Sequence, residues 1–525
     1  MEYYNTILLL LLIFLFPYLY FLLIPNLFKL RDPNNAIKTT PPSPYPYPII
    51  GNILQLIGQN PHQKLDQISK TYGPLMSLKL GSLTTIVISS PEIAKEALTK
   101  NDLVFSSREV PDIMTALGHH EASLVWLPVS DRWKALRKLC FSNIFSPQKL
   151  DSTKVLHRTK AQQLLNYVNS RCENGLSVDI GRAAFTTVIN SLSYLFFSVD
   201  FARYDDNDND NNVITSDFKE IIEEIMVESG KVNVSDFFPI LRFLDPQGVR
   251  RRGEDFIRRL MGIFEGIIDE RMRLRGNNLR VDNNNNGGGD GDLLDSFLDM
   301  MEEKDYVELS RNDFLHLLVD LFVAGTDTTT NTIEWAMAEL IRQPKIMAKV
   351  REELQEVLGK DGIRKPQESL DFTTNLPYLN AIVKETFRLH PPVPLLHHKS
   401  NSKAELCGFI VPKDTQVLVN LWAMGRNTSH WGDDADWFVP ERFIGSKIDI
   451  KGHDFKLMPF GAGRRMCPGL PLAHRSVHFI LASLLHGFDW KVEDGQNHGD
   501  LDMREKYGLA IRRCQPLRAI PIKGN

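Results

Sequence analysis

Apolar residues crowd one end of the chain and recur with helical spacing through the rest. Residues Tyr3 to Phe28 carry no charged side chain, and Ile7 to Ile24 form an almost unbroken apolar run. At about 1.5 Å per residue such a helix reaches roughly 27 Å, near the thickness of the hydrocarbon layer. A cleaved signal peptide would start with basic residues and end in small ones; this segment starts with Glu2 and has no A-x-A pattern. Lys29 and Arg31 follow directly, and positive charge beside a span stays in the cytosol. The expectation is an uncleaved anchor over residues 1–28 with the body facing the cytosol. The prolines from Pro41 to Pro48 predict a stiff basic and proline-rich connector over 29–52.

Beyond residue 53 the helical period dominates. Phe314, Leu317, Leu318, Leu321 and Phe322 recur every three or four residues. Ile346, Val350, Leu354 and Leu358 do the same, with Gly359 as a stop. Leu472, Val477, Ile480, Leu484 and Leu485 make a third stripe. The run Leu83-Thr84-Thr85-Ile86-Val87-Ile88 reads as strand. Strands do not alternate regularly with helices and no repeat recurs, so the pattern predicts a mainly α fold with a minor β region. Two inserts, 205–212 (Asp/Asn) and 283–291 (Asn/Gly), are too polar to bury and read as loops.

Composition narrows the function by exclusion. The 61 basic and 65 acidic residues leave a net charge of −4, which argues against a nucleic-acid binder held by phosphate neutralisation. The length alone suggests about three domains. The five cysteines are scattered, without a C-x-x-C pair, which argues against a zinc ribbon, an iron–sulfur cluster and a disulfide framework.

Four constellations carry chemistry. Cys467 lies in Phe460-Gly461-Ala462-Gly463-Arg464-Arg465-Met466-Cys467-Pro468-Gly469. Glycines let amides approach its sulfur, and two arginines and a following helix start favour thiolate. A lone thiolate without a histidine partner suits haem iron better than zinc. Glu385-Thr386-Phe387-Arg388 puts an acid and a base on one helix face. Ala324-Gly325-Thr326-Asp327-Thr328-Thr329 puts small and hydroxyl residues inside a long apolar helix, where Thr328 can bond back to a carbonyl; on these residues alone a Ser/Thr cap between two helices stays open. Trp133 and Arg137 face one way on a helix, and Arg132, Lys134 and Lys138 add local positive charge.

The loop matches F-x-x-G-x-R-x-C-x-G, and in it the chain resembles the cytochrome P-450 haem-thiolate monooxygenases. The resemblance covers nearly the whole chain and implies a large helical haem domain over 53–525. It implies haem b with the Cys467 thiolate as axial ligand, Phe460 in the ligand loop, and Trp133, Arg137 and Arg465 at the haem propionates. His398 would take the place of a further propionate contact. Glu385, Arg388 and Arg442 resemble the family's structural Glu–Arg–Arg cluster, and Asp327 and Thr328 its proton relay. An NADPH–cytochrome P-450 reductase at the endoplasmic reticulum membrane would donate electrons. By the same map, Asp320, Val323, Ala324, Val393, Leu395, Leu396 and Leu509 line the substrate pocket.

The stretches Asp449 to Phe455 and Val178 to Phe185 resemble the plant microsomal group of geraniol hydroxylases and diterpenoid oxidases. That implies hydroxylation or further oxidation of a hydrophobic plant metabolite, most naturally a terpenoid. The alternatives are a tyrosine or phenolic hydroxylase of the betalain branch, and an isomerase or dehydratase that needs no dioxygen. One departure bears on the pocket: Leu395-Leu396-His397-His398 is one residue short, with His397 where the family has proline.

Overall fold

The computed structural model describes residues 40–58, 60–204, 216–277, 292–302, 309–359, 374–493 and 498–523. The expected anchor, the start of the connector and both polar inserts (205–212 and 283–291) lie outside the described residues. Among the described residues no helix is long and apolar enough to cross a membrane. The proline run is tied to the body, since Ser77 donates from its amide to Pro42 O and from its hydroxyl to Pro41 O.

The main helices are α1 (Asp131–Leu139), α2 (Lys154–Glu173), α3 (Ile180–Phe197), α4 (Ser216–Gly230), α5 (Val249–Gly276), α6 (Arg311–Arg342), α7 (Pro344–Leu358), α8 (Pro377–Leu389) and α9 (Leu470–Gly487), and all but α7 line the site. Helix α6 has 32 residues and so runs about 48 Å. It starts at a capping box: the Ser310 hydroxyl accepts from the Asp313 amide, and the Asp313 carboxylate accepts from the Ser310 amide. Its apolar stripe packs against α3, α5 and α9, as the period of Phe314 to Phe322 predicts. Rings of Phe197, Phe201, Phe218, Phe264 and Phe322 lock α3, α4, α5 and α6 together, with centroids 5.0 to 6.1 Å apart. Helix α7 ends at Gly359, whose φ of 65° suits glycine.

The β region is small. Strands β1 (Leu75–Leu80) and β2 (Leu83–Ile88) form a hairpin, and β2 runs parallel to β5 (Gln416–Asn420), which pairs antiparallel with β4 (Leu395–Lys399). A second sheet joins β3 (Val178–Asp179), β7 (Arg518–Lys523) and β6 (Phe488–Val492). The first sheet carries Leu396, His397 and His398 to the same void that α6 and the start of α9 enclose.

Candidate active site

A cavity of about 360 Å³ lies between the middle of α6 and the loop before α9. Its walls are mostly apolar. Val323 and Ala324 face it from α6, Val393 and Leu396 from the strand side, and Leu509 from the C-terminal region. Leu395 was expected there too, but it sits on the opposite face of β4 and packs with Leu65, Met76, Val87 and Leu418. Alternation along a strand turns it away.

Cys467 closes the opposite wall. Its side chain is enclosed by protein yet exposed, because the surface it presents belongs to the cavity. The loop that holds it is tight. The Cys467 amide donates to Phe460 O at 2.9 Å, and Phe460 packs edge-on against Phe387 of α8. Gly463 has φ of 65°, and a Cβ there would lie 2.5 Å from Leu98 O. Opposite, the Thr328 hydroxyl donates to Ala324 O at 2.6 Å, the back-bond the sequence suggests.

The sequence that builds this site has counterparts among known proteins. Residues 41–516 match the Cytochrome P450 family. The chain belongs to this family. It is 48% identical over 484 residues to Cytochrome P450 76T24 of Catharanthus roseus, covering 92% of this chain and 93% of that protein. It is 47% identical over 486 residues to the geraniol 8-hydroxylase of the same plant, covering 92% and 94%. Identity to Cytochrome P450 76AD1 of Beta vulgaris is 48% over 495 residues, covering 94% and 95%. This cytochrome P450 is therefore a haem-thiolate monooxygenase, and its cofactor is haem with a cysteine thiolate as axial ligand.

The cavity fits that group. Burial pushes the Cys467 thiol up; the Gly469 amide, Arg137, Arg108 and the Leu470 amide oppose it. Sequence reasoning expected the neighbouring arginines to act here. Arg464 instead turns outward to Asp102, and the cations that reach the sulfur electrostatically come from elsewhere in the chain. Three guanidiniums, of Arg108, Arg137 and Arg465, line the cavity. Arg465 donates to Ser106 O at 2.5 Å, to Leu124 O at 3.4 Å and to Leu127 O. Arg137 donates to Met466 O at 2.8 Å and Arg108 to Val125 O at 3.0 Å. Among the described residues none of the three pairs with a carboxylate, and the buried Nε of Arg108 has no partner. Burial and mutual repulsion push Arg465 down to about 9, and burial pushes Arg108 down to about 10, so both stay charged at neutral pH. Three cavity-lining cations facing a single carboxylate, Asp320, that acts on Arg108 only at a distance suit a cofactor that brings two carboxylates.

Sequence reasoning missed Arg108. It sits in Ser106-Ser107-Arg108, where no period or motif separates a buried arginine from a solvated one. Two expected propionate partners are differently occupied. Trp133 donates its Nε1–H to Leu124 O at 3.1 Å, and its ring lies 5.2 and 5.0 Å from the guanidinium carbons of Arg137 and Arg465. His398 Nδ1 meets Phe105 O at 2.8 Å, and since a carbonyl only accepts, Nδ1 carries the proton. Burial and Arg108 push His398 down to about 3, so it is neutral and its other nitrogen accepts rather than donates. The arginines, not His398, are suited to a carboxylate.

The expected relay pair splits across α6. Thr328 faces the cavity, while Asp327 is buried on the adjoining face. There the Asp327 carboxylate lies 3.3 Å from Arg512 and accepts from Asn331 at 3.0 Å. Burial pushes it up to about 6, with Arg512 opposing. The basic patch is also partly spent, because Arg132 pairs with Asp313 and Lys134 with Asp131.

Behind the cysteine loop, Glu385 accepts from Arg388 Nε at 2.7 Å and Nη2 at 2.8 Å, from the Val439 amide at 2.7 Å and from Arg442 Nε at 3.0 Å. Arg388 also donates to the carbonyls of Gly425, Ala435 and Trp437. A Cβ at Gly425 would lie 2.1 Å from Arg388 O, which explains the glycine.

Proposed function

We propose that this cytochrome P450 hydroxylates, or carries further, the oxidation of a terpenoid at the endoplasmic reticulum membrane. Dioxygen and NADPH-derived electrons, relayed by a cytochrome P450 reductase, would drive it. The observation that carries the substrate class is the cavity wall: apolar side chains over most of its area, with few polar groups left free. Asp320, Thr328, Thr329 and His119 line it, but each is already hydrogen-bonded within the protein. Such a pocket binds by burying hydrocarbon and excludes water. The 47% identity to a geraniol 8-hydroxylase supports the same reading.

When bound, the haem supplies dioxygen activation at its iron, with electron density pushed from the thiolate. The chain's own residues do the rest. Arg108, Arg137 and Arg465, which line the cavity, would hold the two haem carboxylates. Ala324 keeps the helix wall thin beside the reacting centre. The Thr328 hydroxyl can exchange its bond to Ala324 O for one directed into the cavity. Asp327, pushed up to about 6 by burial, can exchange a proton near neutral pH on the adjoining face of the helix.

A surface feature supports the membrane part. Tyr45, Tyr47, Ile49, Leu54 and Ile57 are exposed, as are Ile240, Phe243 and Leu244. The two groups are bridged where the Gly81 amide meets Ile50 O and the Ser82 amide meets Phe237 O. An exposed apolar surface of this kind is suited to a lipid interface.

The test is a screen of microsomes carrying this protein and a reductase against mono-, sesqui- and diterpenoids and tyrosine. NADPH-dependent oxygen uptake with an oxygenated terpenoid product is expected. Turnover of tyrosine alone, or product without oxygen uptake, would overturn the reading.

A further inference from the structure

Asp320 lies on α6 two turns before Thr328, and its carboxylate is taken up by the cavity-lining segment 119–127. The Ser123 hydroxyl lies 2.8 Å from Oδ1 and 2.9 Å from Oδ2. The Val125 amide lies 3.4 Å from Oδ2, and His119 Nε2 lies 3.2 Å from Oδ1. The Ser123 oxygen in turn accepts from the amides of Val125 at 3.1 Å and Trp126 at 3.3 Å. His119 Nδ1 is 2.9 Å from Nδ1 of His316, also on α6. One of these two ring nitrogens donates to the other. The segment is thus fastened to α6 at two places.

The carbonyls of this fastened segment face the cations. Leu124 O accepts from Trp133 Nε1 and Arg465 Nη1, Val125 O from Arg108 Nη1, and Leu127 O from Arg465 Nη2. Asp320 is also the only carboxylate, among the described residues, that lines the cavity. We infer that Asp320 and Ser123 are positioning residues for the cofactor: they fix the turn at 123–127 so that its carbonyls hold Arg108 and Arg465 where the two haem carboxylates bind. A long guanidinium loses rotamer freedom when it grips a ligand, and groups held in place beforehand lose less of it on binding. Asp320, expected from sequence to touch substrate, acts in this scheme through the turn and the arginines. The inference rests on the reading of Arg108 and Arg465 as the carboxylate-binding cations.

The experiment follows haem transfer from purified holoenzyme to excess apomyoglobin, at a temperature where circular dichroism shows every variant fully folded. Ser123→Ala should release haem about ten-fold faster, the size of the one buried hydrogen bond it withdraws from Asp320. Ser123→Thr, which keeps the hydroxyl, should stay near the wild type, and Asp320→Asn should be at least as fast as Ser123→Ala. Where Asp320→Asn does not fold, the Ser123 pair decides. Unchanged release from Ser123→Ala beside a lowered melting temperature would mean the turn only stabilises the fold, and would overturn the inference. Arg108→Ala separates the two levels. If it does not speed release, the cation reading fails; if it does while Ser123→Ala does not, only the positioning inference fails.

Discussion

Replacing Glu385 with alanine removes the acceptor for four hydrogen bonds at one buried point. Glu385 is 0% and Arg388 1% exposed, so bulk water does not solvate this pair. Arg388 keeps three carbonyl partners but loses its counter-charge, and a buried pair broken on one side costs about 3–5 kcal/mol. The Val439 amide is orphaned as well, at about 1 kcal/mol or more. Domains are stable by only about 5–15 kcal/mol, so the change removes a large share. The damage lies next to the cysteine loop, because Phe387 of the same helix packs on Phe460. Glu385→Ala should therefore yield little holoenzyme, read as the thiolate-shifted Soret band of the reduced carbon monoxide complex per unit of protein. Arg442→Ala should be milder: Arg442 sits at the edge of the cluster, and Glu385 retains Arg388. A Glu385→Ala protein with wild-type haem content and melting temperature would refute the reasoning.

Thr328→Ala should leave haem content and melting unchanged while diverting NADPH-derived electrons from product to peroxide; unchanged coupling would remove Thr328 from the relay. Gly463→Ala should lower haem content, because its φ of 65° and the Leu98 carbonyl 2.5 Å from the new Cβ both resist a side chain; normal haem content and melting would contradict this. The Asp327 carboxyl is raised from 3.8 to about 6, so the folded chain binds this proton more tightly than the unfolded one. Its contribution to stability is full below about pH 4 and is lost as pH rises through about 6. Asp327→Asn cannot ionise and should gain on the wild type by up to about 3 kcal/mol between about pH 4 and pH 7.5, seen as a widening gap in melting temperature. A gap that is constant with pH would contradict the shift.

What could be read from the sequence depended on whether the signal was local. The stripe Ile346 to Leu358 with Gly359 behind it predicts helix Pro344–Leu358 to its last residue, because period and stop signal act within one segment. The run Leu83–Ile88 is a strand with those same ends. The loop around Cys467 was legible because its glycines and cysteine are contiguous. Direction was not legible. Asp327 and Thr328 are adjacent in sequence, yet successive helical positions point about 100° apart, and only the packing of Arg512 decides which one turns from the cavity. Leu395 was misplaced for the analogous reason on a strand. Arg108 was missed because its burial depends on carbonyls that arrive from Val125.

The three guanidiniums bear on how the enzyme is made as well as how it works. Against them the described cavity wall sets one carboxylate, Asp320, so a chain that closes before its cofactor arrives seals in two excess positive charges. Sealing like charges away from water is unfavourable, so the closed chain is less stable until the dianionic cofactor enters. An open chain exposes apolar surface and is removed by cellular quality control. Haem supply then sets the amount of protein itself: a starved cell would degrade the unfinished chain instead of storing an empty enzyme.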